Sequence, residues 1–181
     1  MMSKMLSPED WQLHDAFRNI IAYESLPIHT LEIAELIYND DLALESLNGV
    51  LSKYAIKNIR NINNDLLDLV ILYIHEVLKD GVIEEQEKRN IEVFKLYFKI
   101  REGDFYQKKK REIENILRIQ FEKLYFDDKI TKEEAFHNFL LRDIFDLSHE
   151  QYDRFKEKEV RRALDNGSNI KDLDTSIIPK K

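Results

Sequence analysis

Apolar residues recur along this chain at three- and four-residue spacings, the period of an α-helix rather than of a strand. Stretches rich in Asp, Asn, Ser, Gly or Pro interrupt the pattern and divide it into about eight helices. The predicted helices cover residues 8–24, 31–38, 42–56, 66–79, 84–100, 105–126, 131–145 and 148–165.

Residues that cap helices stand at the predicted breaks. Gly81 can adopt the left-handed conformation that ends a helix, and Asn166 to Ser168 form a helix stop. The predicted N-caps are Ser7, Thr30, Asp65, Thr131 and Ser148, and the last two open capping boxes with Glu134 and Gln151. In the helix that follows Gly81, Glu84 occupies the cap position, which glutamate fills poorly.

The composition supports an all-α fold. The 181 residues include only four Gly and three Pro, so tight turns are few, and 43% of the residues are hydrophobic, enough to form a core. The most apolar stretch, Leu66 to Leu78, is expected to be the buried centre of a single helical bundle, with His75 as a hydrogen-bonded core histidine. This stretch is too short to span a bilayer, and the N-terminus lacks the apolar run of a signal peptide. We therefore expect a cytoplasmic protein that does not insert into membranes.

Charge and residue usage exclude several functions. The net charge of −7 opposes binding to nucleic acids. The chain has no cysteine, no Gly-x-Ser-x-Gly motif and no glycine-rich phosphate loop, so neither nucleophilic catalysis nor nucleotide binding is indicated. The sequence predicts a protein that is not an enzyme.

Two segments, LKDGVIEEQE from Leu78 and FDDKITKEEA from Phe126, resemble each other at an offset of 47 (127 − 80). The offset preserves residue class at positions expected to be buried. The aligned pairs are Asp80 with Asp127, Ile83 with Ile130, Glu87 with Glu134, Phe98 with Phe145, Ile100 with Leu147, and Phe105 with Tyr152. A period of this length predicts a duplicated helix–turn–helix unit.

The stretch DGVIEEQE after an apolar helix resembles the Asp-Gly-x-Ile-x-x-x-Glu signature of TerB-like proteins, the tellurite-resistance helical family. DDKITKEEAFHNFLLRDIFDLSHEQYDRF is similar to the second half of such a unit, with Asp128 in place of the glycine. The resemblance covers residues 66–165 and implies a helical bundle with an internal pseudo-repeat. Family members are associated with stress responses, membrane-linked complexes and metal sensing. Residues 1–65 would form an N-terminal helical extension packed on this core, and residues 166–181 a flexible tail.

The acidic turns at 80–87 and 127–134 raise the question of a divalent cation. Neither has the ligand spacing of an EF-hand loop, and acids at helix starts also serve as caps. Carboxylates of both turns could still form a site if the two copies faced each other. The candidate ligands are Asp80, Glu84, Glu87, Asp127, Asp128 and Glu134. No other cofactor is predicted.

One basic run, Lys108, Lys109, Lys110 and Arg111, lies where cations oppose the helix dipole, and it is the candidate contact for an acidic partner. The favoured hypothesis is a non-enzymatic protein that acts through protein–protein contacts, in a stress-response, accessory or immunity role. The alternative is a divalent-cation sensor that uses the acidic turns. A homo-oligomer is compatible with either hypothesis.

Overall fold

The structure is a computed structural model that describes residues 11–79, 81–124 and 140–167. Within these ranges the chain forms helices joined by turns, without strands, which confirms the all-α prediction. The helices divide between two compact units, Met1–Arg101 and Glu102–Lys181.

The first unit contains five α-helices and one 3₁₀ turn. α1 packs against α2 and α4, α2 packs against α3 and α4, and α4 packs against α5. The elements are α1 (Trp11–Tyr23), α2 (Ile28–Tyr38), α3 (Leu44–Lys53), the 3₁₀ turn (Ile59–Ile62), α4 (Asn63–Val77) and α5 (Glu85–Tyr97).

The apolar helix predicted at residues 66–79 is α4, and its apolar side chains are buried. The rings of Phe17, Tyr73 and Phe94 meet at its side, with centroids 5.2 to 5.7 Å apart. The Tyr73 hydroxyl accepts a hydrogen bond of 3.0 Å from the buried Asn90 amide. The core of the first unit therefore joins α1, α4 and α5 through aromatic packing and one satisfied polar pair.

The second unit has α7 at its centre. Its elements are α6 (Asp104–Lys108), α7 (Lys110–Leu124), the helical residues 140–144 and α8 (His149–Asp165). Both α6 and α8 pack against α7. The single helix predicted at 105–126 is thus two helices, because the backbone of Lys109 leaves the helical region at φ −127° and ends α6.

Several helix ends match the predicted turn chemistry. Gly81 has φ +91° and Ile83 is buried, as expected for the corner after α4. Gly167 has φ +96° after α8, and Ser148 and Gln151 form the predicted capping box. Glu84 does take the N-cap position of α5, where its N–H donates to the Glu87 carboxylate at 2.8 Å.

Four further helical segments end at a residue other than glycine with positive φ. These residues are Asp40, Ala55, Lys99 and Asp146, with φ between +51° and +57°. The residue after each one donates its N–H to a carbonyl five positions earlier, the bond that closes a Schellman turn. Lys99 and Asp146 are separated by the offset of 47 found in the sequence.

Two predicted caps lie inside helices instead. α2 begins directly after Pro27, which occupies the N-cap position without a side-chain hydrogen bond. Thr30 therefore lies in the first turn of the helix. The Thr30 hydroxyl is buried and has no hydrogen-bond partner among the described atoms. Asp65 lies in the first turn of α4, where its carboxylate meets the His29 ring at 3.0 Å. The domain boundary predicted between residues 65 and 66 therefore falls inside α4.

α4 starts at Asn63 and α7 at Lys110, which are separated by the offset of 47 (110 − 63). Every buried side chain described in α7 falls on a buried side chain of α4. The pairs are Leu66 with Ile113, Leu69 with Ile116, Val70 with Leu117, Tyr73 with Gln120, and Ile74 with Phe121. The two helices differ at Leu67 and Ile71, which are buried in α4 and align with the part-exposed Glu114 and Arg118.

Candidate functional site

A groove of about 220 Å³ is lined by α7 and α8. We call it the α7–α8 groove. Its apolar floor contains Leu117 and Phe155. Four cations and two carboxylates line it together with Asn115: Arg111, Arg118, Lys158 and Arg162, against Glu114 and Glu159. The groove therefore carries surplus positive charge within a chain whose net charge is −7.

Helical spacing brings these side chains to one place. On α7, Arg111 and Arg118 are seven residues apart and share a face, and on α8, Lys158 and Arg162 are one turn apart. The capping box at Ser148 fixes where α8 starts, and so which of its residues face α7. Phe155 packs edge-on against the Tyr106 ring at 6.3 Å, which helps to hold the floor.

The cations of the groove are engaged to different degrees. Nη1 of Arg162 meets both oxygens of the buried Glu159, at 2.7 and 3.0 Å. Arg118 donates to Glu122 at 2.7 Å and to Asn115 at 2.9 Å. Lys158 approaches Glu114 only to 3.9 Å, the distance of a loose ion pair. The rim thus combines fixed guanidinium groups with donors that have capacity for a further acceptor.

Arg111 differs from the other cations of the groove. It is exposed and makes no ion pair with any side chain that the structure describes. It also lies in the first turn of α7, where a cation is disfavoured by the helix dipole. No contact within the described chain therefore accounts for a positive charge at this position.

Of the predicted basic run, only Arg111 belongs to the groove. Lys109 is 5% exposed, so its prediction as a surface contact is wrong. It lies at the C-cap of α6, where its side chain is buried. Lys108 pairs with the buried Asp104 at 3.4 Å, and Lys110 lies over the Tyr106 ring at 5.3 Å. The sequence pointed to consecutive residues, whereas packing selects residues by helical face.

The other three cations of the groove were missed at the sequence level. Arg118, Lys158 and Arg162 stand in ordinary charged helix surfaces. Their spacings of seven and four residues were a usable signal, but only the packing of α7 on α8 joins them.

The predicted metal ligands fall mostly outside the described residues. Asp80, Asp127, Asp128 and Glu134 all lie there. Glu84 is exposed, and Glu87 is 4% exposed with its carboxylate bound to the Glu84 N–H. Within residues 11–79, 81–124 and 140–167, no group of three or more acidic or histidine side chains is arranged to hold a metal ion.

His75 was predicted to be a core histidine, and this is wrong, because it is exposed. It lies on the side of α4 that also carries the part-exposed Asp68 and Leu72, whereas Ile74 and Val77 at the same end of the helix are buried. Nearby, Asn19 of α1 donates to the Glu76 carboxylate at 2.9 Å. The polar contact between α1 and this end of α4 is made by Glu76.

A second polar cluster joins α2 to the end of α3. One oxygen of Glu32 accepts from both Lys53 Nζ and Tyr54 Oη at 2.5 Å. The hydrogen bond from Lys53 and, to a smaller extent, that from Tyr54 lower the pKa of Glu32. The same bond to Glu32 raises the pKa of Tyr54. The members of this cluster satisfy one another, so it binds helices together and offers less to a ligand than the α7–α8 groove.

In the described parts of the chain, no helix combines the length and apolar character needed to cross a bilayer. Comparison with protein-family models, with curated proteins and with solved structures yields no match for this chain.

Proposed function

We propose that this protein acts without catalysis, by binding an acidic segment of a protein partner in the α7–α8 groove. The observation that carries the proposal is the described rim of the groove, in which four cations outnumber two carboxylates. Complementary charge across a contact favours encounter with the right partner and fixes its register.

The chemistry of the groove favours binding over catalysis. Among the residues that the structure describes, its lining contains no histidine, serine, threonine or tyrosine that could act as nucleophile or proton carrier. Of its two carboxylates, Glu159 is engaged by Arg162, and Glu114 faces Lys158. Its volume of about 220 Å³ is below the range of about 300–1,000 Å³ typical of small-molecule pockets.

The overall charge of −7 does not prevent this contact. Exposed charges are screened beyond about 8–10 Å at physiological ionic strength, so a short acidic segment responds mainly to the rim next to it. A long polyanion would meet the acidic remainder of the surface. The partner that fits is therefore a protein with a local acidic patch.

The fold itself is proposed to be a duplicated, TerB-like helical unit. Support comes from the coincidence of buried positions in α4 and α7 and from the turns at Lys99 and Asp146, all at one offset. A role in stress response or as an accessory protein follows from this resemblance and is part of the proposal.

The test uses affinity capture from cells that naturally express the protein, with three tagged chains. Arg111→Glu combined with Lys158→Glu reverses charge on both sides of the groove. Lys110→Glu combined with Lys123→Glu is the matched control, because it makes the same charge change at exposed residues of α7 outside the groove. A partner identified by mass spectrometry should be captured by the wild type and the control, and reduced at least about tenfold with the groove variant. Equal capture by all three chains would refute a contact at the groove.

A further inference from the structure

We infer that Asn166 is a site of spontaneous deamidation, in which its side-chain amide becomes a carboxylate, whereas Asn48 is protected from the same reaction. The chain contains two Asn-Gly pairs, Asn48–Gly49 and Asn166–Gly167. Both pairs are exposed, and no atom from elsewhere in the described chain lies within 4 Å of the place where a Cβ of either glycine would be. Exposure therefore does not distinguish the two pairs, and the backbone around them does.

The reaction joins two neighbouring groups of the chain. The glycine backbone nitrogen attacks Cγ of the asparagine, the new N–Cγ bond closes a succinimide ring, and Nδ2 leaves as ammonia with the proton of the glycine amide. Water then opens the ring at either carbonyl and leaves aspartate or isoaspartate. Glycine favours the attack because it has no Cβ beside the attacking nitrogen. The asparagine must first rotate about ψ, and the glycine N–H must be released from its hydrogen bond.

Asn48 and Gly49 are held inside a helix. They lie in the interior of α3, where a regular helical backbone directs each N–H to a carbonyl one turn earlier and holds it away from the preceding side chain. Leu47 and Val50, on either side of the pair, are 3% and 8% exposed. Rotation at Asn48 therefore requires the opening of a segment that buried apolar side chains anchor, and such openings are rare.

Asn166 and Gly167 form the end of α8. Asn166 is the C-cap, with ψ 1°, and Gly167 has φ +96°. Their N–H groups donate to the carbonyls of Arg162 and Leu164, both at 3.0 Å. The last buried side chain of α8 is that of Val160, so no buried side chain has to leave the core when this turn opens. Helix ends open at little cost in free energy, which makes the reactive geometry accessible to Asn166.

The product changes the charge at one end of the α7–α8 groove. A carboxylate at position 166 lies at the C-terminal end of α8, where the helix dipole disfavours negative charge. It also lies four residues after Arg162, the spacing at which opposite charges pair on a helix surface. Deamidation therefore replaces a neutral group with an anion one turn from a cation of the groove.

The test follows both asparagines by mass spectrometry in the purified full chain, kept at mildly alkaline pH. Peptides prepared over time give the converted fraction of each asparagine, with a sample digested at time zero as the reference. We expect Asn166 to convert at least about tenfold faster than Asn48 in the folded chain. In urea the two rates should agree within about threefold, because the unfolded chain no longer holds the two pairs in different backbone conformations.

A variant tests the protection of Asn48. Leu47→Ala removes a buried side chain that anchors α3, and it should raise conversion of Asn48 at least about threefold while that of Asn166, in the other unit, is unchanged. Equal rates in the folded wild type, or faster conversion of Asn48, would overturn the inference. So would conversion of Asn166 only in urea, since the turn at the end of α8 would then protect it. None of these outcomes involves a partner, so the inference and the proposed function stand or fail separately.

Discussion

α4 and α7 start at positions 47 residues apart and share the phase of five buried residues, but they differ on one side. In α4 this side carries Leu67 and Ile71, which are 0% and 4% exposed. In α7 the aligned residues are Glu114 and Arg118, and this side lines the groove. An apolar side lets a helix be enclosed by protein, whereas a charged side keeps part of its surface in water.

At these two positions, about one helical turn apart, buried apolar side chains of α4 correspond to charged side chains of α7 that line the groove. Positions of α7 that face its own unit, such as Ile113 and Phe121, are apolar and buried as in α4. We expect stability to depend on this side and the proposed contact on the charged side. Four sets of substitutions compare positions that the offset of 47 relates.

The largest effect is expected when α4 receives the charge of α7. Leu67→Glu would bury a carboxylate without a partner and should lower the free energy of unfolding by about 4 kcal/mol or more. The reverse change, Glu114→Leu, loses only a loose ion pair at 3.9 Å and should stay within about 1 kcal/mol of the wild type. Urea unfolding followed by far-UV circular dichroism measures both, and fluorescence of Trp11, the only tryptophan, reports on the first unit. A cost below about 1 kcal/mol for Leu67→Glu would mean that the two sides are equivalent after all.

A smaller loss is expected from Tyr73→Phe, at the position that aligns with Gln120. The substitution leaves the buried Asn90 amide without its acceptor and should cost about 1–3 kcal/mol. Replacing both partners, as Tyr73→Phe with Asn90→Leu, should recover part of this loss, since the buried amide is then gone and the exposed Gln86, which donates to Asn90 at 3.2 Å, can bond to water instead. The same unfolding experiment applies, and a double variant as unstable as the single one would show that the hydrogen bond is not the cause.

The turns at Lys99 and Asp146 should respond alike to glycine. Both residues have positive φ, which costs free energy for a residue with a Cβ and none for glycine. Lys99→Gly should raise the free energy of unfolding by about 0.5–1 kcal/mol. Asp146→Gly should raise it by somewhat less, because aspartate tolerates positive φ better than lysine does. Thermal unfolding of the two variants is the measurement. A loss of stability at either position would separate the two turns.

The smallest effect concerns Tyr97, which aligns with Ile144. Burial, together with the nearby Asp41 carboxylate, raises the pKa of Tyr97 to about 12. Its hydroxyl meets the Ala43 carbonyl at 3.3 Å. A tyrosine in the unfolded chain ionises near pH 10, so its contribution to stability is complete below about pH 10 and is lost as the pH rises toward 12.

Tyr97→Phe should therefore show a shallower loss of stability than the wild type between about pH 10 and 12. Absorbance of tyrosinate, compared between the two chains, should assign the late-titrating group. If the difference spectrum appears near pH 10 instead, Tyr97 is not protected by its surroundings.

The helical class, the buried helix now seen as α4 and the turn at Gly81 were predictable because they depend on neighbours within a few residues. Thr30 and Asp65 misled as caps for a related reason. Thr and Asp are common both at N-caps and in the first turn of a helix. The conformation of the residues before them decides which position they take. The interruption at Lys109 has no turn signal in the sequence, which reads as a continuous helical pattern there.

The candidate site was predictable only in part. The basic run drew attention to Arg111, but its neighbours point elsewhere: Lys109 inward, Lys108 toward Asp104. Lys158 and Arg162, the rim on α8, lie more than forty residues further along the chain, as the numbering shows. Nothing in their local sequence distinguishes them from other exposed charges of the same helix.

The sequence by itself determined that this chain is helical, where most of the described helices end, and that the stretch from Leu66 to Leu78 is a buried helix. Local propensity, capping and apolar period decide these features within one or two turns. The tertiary structure alone decided that α8 packs on α7, and so which four of the many cations share one groove. Packing depends on the complementarity of whole helix faces, which no single stretch of sequence contains.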